Sequence, residues 1–270
     1  MVGVFEKGVG VPLEFTGEVA VVTGAGAGIG RAVAMNLAAQ GAAVLALDVN
    51  VDDLTQTQAL AAEQGHAITS FVCDVSNLQE VKKAFDFADR NLGPCTIMVA
   101  AAGIGLYVDY LEMQEAQMNR VIDVNLKGPL LCAQESMNRM REVGRGNIVF
   151  IASIQATISL RGSVVYTATK AGLVAAARTL SIEGGDLNIR VNSVSPGTID
   201  TPMLRRDLSS ITPEEAENSL ENINAANVLG RVGKASEVAD AVAFLVSNRA
   251  SYITGTDLRV DAGFSALKHM

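Results

Sequence analysis

Tyr166 and Lys170 are four residues apart, a spacing that puts both on one face of a helix, and Ser153 follows the apolar run Asn147 to Ile151. A phenol, an ammonium and a hydroxyl brought together can move a proton to or from a substrate oxygen. The phenol's ordinary pKa of about 10 is too high for a base at neutral pH, so it must be lowered. An ammonium beside it favours the phenolate, each pKa unit being worth about 1.4 kcal/mol. Ser153 can hydrogen-bond the reacting oxygen, polarising a carbonyl or orienting an alcohol.

A second constellation lies near the start of the chain. Thr23-Gly24-Ala25-Gly26-Ala27-Gly28-Ile29-Gly30 follows a strand-like run and opens an amphipathic helical segment. Glycines there permit a tight turn and let backbone amides at a helix N-terminus approach a pyrophosphate. About 20 residues on, the next apolar run ends at Asp48, where a carboxylate can accept hydrogen bonds from an adenosine ribose and would repel a 2′-phosphate. NAD is therefore expected over NADP. Ala27 agrees, since no cation stands there to meet a phosphate; Arg31 is expected to face solvent.

The elements that must position these groups alternate along the chain. Strands are expected at 19–23, 43–48, 67–72, 96–100, 147–151, 189–194 and 256–260, with helices between. This pattern predicts an α/β fold, a doubly wound parallel sheet of Rossmann-like type with about seven strands and helices on both faces. A long helix over 116–143 carries Val121, Ile122, Leu126, Leu130 and Leu131 on its apolar side, with Gly128-Pro129 expected to distort it beside Asn125. The helix over 163–183 is rich in small residues and offers a surface for a subunit contact. Thr212-Pro213-Glu214-Glu215 reads as an N-cap, a first-turn proline and a capping box. The chain is read as one domain over 1–270, with an N-terminal arm at 1–16 and a helical insert at 198–231 serving as a substrate lid.

Composition narrows the function. A net charge of −8 without clustered Lys or Arg argues against nucleic acid and anionic membranes, leaving a small molecule as partner. The start of the chain lacks a secretory pattern and a cytoplasmic location is expected. Cys73, Cys95 and Cys132 are far apart in apolar surroundings and read as buried thiols; with His66 and His269 isolated, no metal is expected.

Taken in order, Thr-Gly-x-x-x-Gly-x-Gly, Asn125, Ser153, Tyr166-x-x-x-Lys170 and Pro196-Gly197 resemble the short-chain dehydrogenase/reductase superfamily over roughly residues 17 to 264. The resemblance implies hydride transfer between a nicotinamide cofactor and an alcohol or ketone, with Tyr166 as acid/base, favoured as phenolate also by the positive nicotinamide. It implies that Lys170 holds the nicotinamide ribose and Asn125 a water relay. It implies cofactor contacts at Gly24, Ala27, Gly28, Ile29, Gly30, Asp48, Ala101, Gly103, Pro196 and Gly197. Asp74-Val75 resembles the adenine-contacting pair, and Ile199 with Thr201 the carboxamide clamp. A homotetramer is what the resemblance suggests. One departure stands out: the family's Asn-Asn-Ala-Gly reads Ala100-Ala101-Ala102-Gly103 here, so hydrogen bonds bracing the sheet centre must be lost or replaced.

By the same resemblance Ile104, Leu106, Ile154, Gln155, Ala156, Leu160, Met203 and Leu204 surround the substrate, together with Ser153 and Tyr166. This mostly apolar set predicts an apolar or cyclic secondary alcohol or ketone. Two other functions compete. A 3-ketoacyl thioester reductase would favour NADPH and basic docking residues, which Asp48 and the acidic balance oppose. A catalytically silent NAD-binding regulatory protein would not need Asn125, Ser153, Tyr166 and Lys170 together.

Overall fold

The computed structural model describes residues 13–209 and 211–266. Most of the expected N-terminal arm, and His269, lie outside the described residues. Each apolar run of the sequence becomes a strand of one parallel sheet: β1 (Val19–Thr23), β2 (Ala43–Asp48), β3 (Ile68–Val72), β4 (Ile97–Ala100), β5 (Gly146–Ile151), β6 (Ile189–Pro196) and β9 (Asp257–Val260). Their order is β3-β2-β1-β4-β5-β6-β9. The chain runs outward from β1 to β3, then crosses back to β4 beside β1. Carboxyl ends on either side of that reversal splay apart and leave a crevice. Two short strands between β6 and β9, β7 (Ile199–Asp200) and β8 (Gly233–Lys234), pair with each other and were not foreseen.

Both sheet faces are buried, which is why the strands read as continuous apolar runs and not as alternating ones. On one face α1 (Gly28–Ala39), α2 (Val51–Glu63) and α9 (Ala235–Val246) pack through Val33, Leu37, Leu54, Ala61, Val242 and Leu245. On the other, α3 (Leu78–Asn91), α5 (Gly128–Val143) and α6 (Val164–Gly185) pack through Phe85, Ala88, Cys132, Met140, Leu173 and Ala177. The three cysteines belong to this second core and are free thiols. Burial pushes Cys73 and Cys95 up to about 12, which keeps them unreactive.

The long helix departs from expectation in an informative way. It runs as α4 (Glu115–Ile122), a π-helical turn over Asp123–Lys127, and α5. The irregularity precedes Gly128-Pro129 instead of falling on it, because Pro129 occupies the first turn of α5, where a missing N–H costs little. Gly128 serves packing: a Cβ there would lie 2.7 Å from the Val75 side chain. After β7 come α7 (Pro202–Ser209) and α8 (Pro213–Ala226). At the start of α8, Thr212 accepts from the Glu215 amide while the Glu215 carboxylate accepts from the Thr212 amide, so the capping box forms as read.

Candidate active site

Strand register brings the site residues to one edge of the sheet. Thr23 pairs with Leu47 and with Ala100, Ala100 with Phe150, and Ile151 with Val194. Everything that follows these strands therefore opens on the same rim. The glycine turn follows β1, Asp48 ends β2, Gly103 follows β4, Ser153 follows β5 and Gly197 follows β6.

The glycine turn fits a bound dinucleotide in its own geometry. Gly24 and Gly28 have positive φ, +64° and +52°, and a Cβ on Gly30 would lie 2.1 Å from the Gly24 carbonyl oxygen. No side chain caps α1, and no acidic residue occupies its first turn, so its leading amides are left for an anionic ligand. Asp48 accepts from the Gly26 amide at 3.0 Å and from the Asn50 amide at 3.0 Å. Asn50, not Asp48, caps α2. Arg31 corrects an expectation: it does not point to solvent but folds over the turn, donating to Thr57 at 2.9 Å, to Gln56 at 2.7 Å and to the Gly26 carbonyl. A guanidinium with three such acceptors ties α2 to the glycine turn.

Along the rim, Thr201 packs on the other side of the turn, 3.3 Å from where a Gly28 Cβ would stand. Gly197 donates to the Val260 carbonyl at 2.9 Å, while Ile199 is buried against Gly233. Asp74 is held by Ser76 and, at 3.2 Å, by Arg120. Burial pushes its carboxyl up, yet these bonds outweigh it and leave the pKa below the ordinary value. Val75 is buried against Gly128.

The turn that lacks the asparagines is held from β1. Thr23 Oγ1 accepts from the amides of Ala101 and Ala102, each at 3.1 Å, so the turn after β4 is braced by a threonine of the neighbouring strand. The carboxamide of Asn125 grips the same segment from the π-turn, accepting from the Ile104 amide and donating to the Ile104 carbonyl, both at 2.8 Å. Both ends of that side chain are thereby committed to backbone.

Tyr166 and Lys170 lie on α6, as their spacing predicts, and converge with Ser153 and Asn125. Lys170 Nζ donates to the Ile151 carbonyl at 2.8 Å and lies 5.6 Å from the Tyr166 ring centre. Gly103 lies against both, its Cβ position 3.5 Å from Lys170 Nζ and from Asn125 Oδ1. Ser153 Oγ accepts from the Gln155 amide at 3.1 Å and its hydroxyl bonds the Tyr166 phenol. Burial pushes Tyr166 up to about 12, with Tyr107 adding to the rise and the Ser153 bond opposing it. Burial also brings Lys170 down to about 8. Both shifts disfavour charge in a dry pocket, so positive charge from a bound ligand would act on the phenol with little screening.

Of the residues expected around substrate, Met203 approaches within 3.5 Å of a Gly105 Cβ position, and Gln155 is buried beside the pocket. Leu160 is 52% exposed and Ile154 is buried. Tyr107 was missed. Its ring lies 6.3 Å from that of Tyr166, and its oxygen accepts from Gln155 Nε2 at 3.3 Å. Its position in the loop leaving β4 was the available signal. Asp207, on α7, was also missed; its charge acts on both tyrosines.

A parallel sheet with a glycine turn at its crevice and a Ser-Tyr-Lys cluster opposite defines a nicotinamide-dependent oxidoreductase. Comparison with known proteins agrees. A family model described as enoyl-(acyl carrier protein) reductase matches residues 24–265. The chain is 36% identical over 261 residues to (3R)-3-hydroxyacyl-CoA dehydrogenase of Canis lupus familiaris, covering 93% of this chain and 98% of that protein. It is 35% identical over 256 residues to cis-4-hydroxycyclohexanecarboxylate dehydrogenase of Sinomonas cyclohexanicum, covering 94% and 98%. The crystal structure of levodione reductase matches with a TM-score of 0.90 at 32% identity, covering 94% of this chain and all of that one. The chain belongs to the short-chain dehydrogenase/reductase superfamily and is an oxidoreductase.

Proposed function

We propose that the protein transfers hydride between NAD(H) and a secondary alcohol or ketone, with Tyr166 as general acid/base. The observation that carries this reading is the convergence of Ser153, Tyr166, Lys170 and Asn125 on the rim that bears the glycine turn. The nicotinamide supplies the hydride acceptor or donor when bound. Gly24, Ala27, Gly28, Ile29 and Gly30 would hold its pyrophosphate, Asp48 the adenosine ribose, and Asp74 and Val75 the adenine edge. Ala101, Gly103, Pro196, Gly197, Ile199, Thr201 and Lys170 would line the nicotinamide half. NAD is preferred over NADP because the Asp48 carboxylate stands against Gly26, where a 2′-phosphate would meet it.

Within this frame Ser153 positions the substrate oxygen, and Tyr166 takes the hydroxyl proton in oxidation or returns it in reduction. Lys170, fixed on the Ile151 carbonyl, lowers the phenol when it carries its proton. Asn125 keeps the loop at Ile104 in place and with it the floor under Lys170. Met203 and Gln155 border the substrate. A thioester reductase remains the second reading on one observation, the match to (3R)-3-hydroxyacyl-CoA dehydrogenase. Residues 1–270 are read as one domain with α7 and α8 as its lid. The net charge of −8 without clustered Lys or Arg supports a small-molecule partner over nucleic acid or an anionic membrane, and among the described residues no helix is long and apolar enough to cross a membrane.

The test is turnover with NAD⁺ and NADP⁺ in parallel against cyclic, open-chain and hydroxyacyl-thioester alcohols. NAD⁺-dependent oxidation of simple secondary alcohols is expected. A preference for NADP⁺ would overturn the role given to Asp48, and activity on thioesters alone would move the function to the second reading.

A further inference from the structure

The pocket wall opposite the nicotinamide side is more polar than its sequence suggests. Gln155 is buried, and its carboxamide is fixed at both ends: Oε1 contacts Thr167 Oγ1 at 3.4 Å and Nε2 donates to the Tyr107 oxygen at 3.3 Å. Thr167 Oγ1 is itself within 3.1 Å of Ser163 Oγ. The segment bearing Tyr107 is tied to the same region by the backbone, Val108 N donating to the Gly162 carbonyl at 3.0 Å. A phenol has one proton and can both donate and accept. Here the oxygen accepts from Gln155, and among the described hydrogen bonds the O–H has no acceptor.

The Tyr107 ring lies beside that of Tyr166, with centres 6.3 Å apart and planes inclined by 37°. Resting on the oxidoreductase reading above, we infer that Tyr107 is a substrate-anchoring residue: its hydroxyl, aimed by Gln155, donates to a second oxygen of the substrate while Tyr166 and Ser153 act on the first. The substrate class is then a secondary alcohol or ketone carrying a second, neutral hydroxyl or keto oxygen. A neutral group is specified because Asp207, whose negative charge acts on both phenols, opposes a carboxylate there. Gln155 is buried and fixes the direction of the phenol, which is itself 44% exposed, so a monofunctional substrate leaves the O–H to solvent and forgoes one hydrogen bond.

The test compares reduction of 4-hydroxycyclohexanone, cyclohexanone and 4-oxocyclohexanecarboxylate by NADH in wild type, Tyr107→Phe and Gln155→Glu. Wild type is expected to favour the hydroxyketone over cyclohexanone by about tenfold or more in kcat/KM, chiefly through KM, and to disfavour the carboxylate. Tyr107→Phe should bring the hydroxyketone-to-cyclohexanone ratio down to about 1. Gln155→Glu should also collapse it with the phenol in place, because a carboxylate would take the Tyr107 proton itself. NADH binding and the thermal midpoint report whether each variant is folded; should one fail, the other carries the test. Equal kcat/KM for the hydroxyketone and cyclohexanone in wild type, a ratio unchanged in a folded variant, or a preference for the carboxylate would overturn this inference and leave the oxidoreductase reading standing. Failure to reduce any of the three ketones, with NADH still bound, would overturn that reading and this inference with it.

Discussion

Tyr166 and Lys170 sit in an environment that resists charge on either of them. A buried lysine at about 8 is a liability that a structural role would not require, since methionine could fill the same space. The stability consequence has a definite sign. Below about 8 both folded and unfolded chains hold the proton; between about 8 and 10.5 the unfolded chain binds more, so this group makes folding more favourable as pH rises through that window. Wild type should therefore gain about 1 to 3 kcal/mol relative to Lys170→Met across it. Denaturant unfolding of both proteins along a pH series checks this, and parallel curves would show that Lys170 is not buried in its charged form. The proposed preference for NAD rests on one carboxylate. Asp48→Ser removes the charge that repels a 2′-phosphate while keeping an acceptor for the Gly26 amide, and the NAD⁺-to-NADP⁺ ratio of kcat/KM should fall by at least about tenfold. An unchanged ratio would place the discrimination elsewhere.

At the scale of elements, two segments without periodicity hold the site. The loop after β4 is gripped by Thr23 from β1 and by Asn125 from the π-turn, and the glycine turn is clamped to α2 by Arg31. Arg31→Ala should lower NAD affinity about fivefold and stability by about 1 kcal/mol, read by calorimetric titration and by thermal unfolding. The strands and the Tyr166–Lys170 pair were legible in sequence because periodicity and i,i+4 spacing are local signals. Arg31 was misjudged because its acceptors lie on α2, 25 and 26 residues on at Gln56 and Thr57, and only the fold brings them near. Thr23 gave no sign of bracing the turn after β4 for the same reason, its partners lying 78 and 79 residues away. Gly128-Pro129 suggested a break in the helix; what it supplies is the first turn of α5, and the irregularity falls on Asp123–Lys127, where Asn125 turns toward the loop.

At the scale of the molecule, α4–α5 and α6 carry an apolar groove on their outer side. Ile122, Leu126, Leu130, Leu131, Met137 and Leu180 line it, with Ile122 and Leu130 more than a third exposed. The apolar side of the long helix thus divides, Val121 turning inward while Ile122 and Leu130 turn out. A groove of this kind marks an association surface, and the account predicts a homo-oligomer closed through it. Leu130→Glu should shift the protein to a smaller species in sedimentation analysis while the far-ultraviolet dichroism stays unchanged; an unaltered sedimentation coefficient would remove the groove from the interface. The same groove lies on the helices that carry Asn125, Tyr166 and Lys170, so association would also brace the catalytic cluster from behind.

The central claim, that Tyr166 moves the proton in a hydride transfer, is tested most directly by Tyr166→Phe. Removing one hydroxyl from a packed ring should leave NADH binding within about twofold of wild type and reduce kcat for NAD⁺-dependent alcohol oxidation by about a thousandfold or more. Retention of NADH binding with that loss is the predicted result. A folded Tyr166→Phe protein that keeps wild-type kcat would contradict the account.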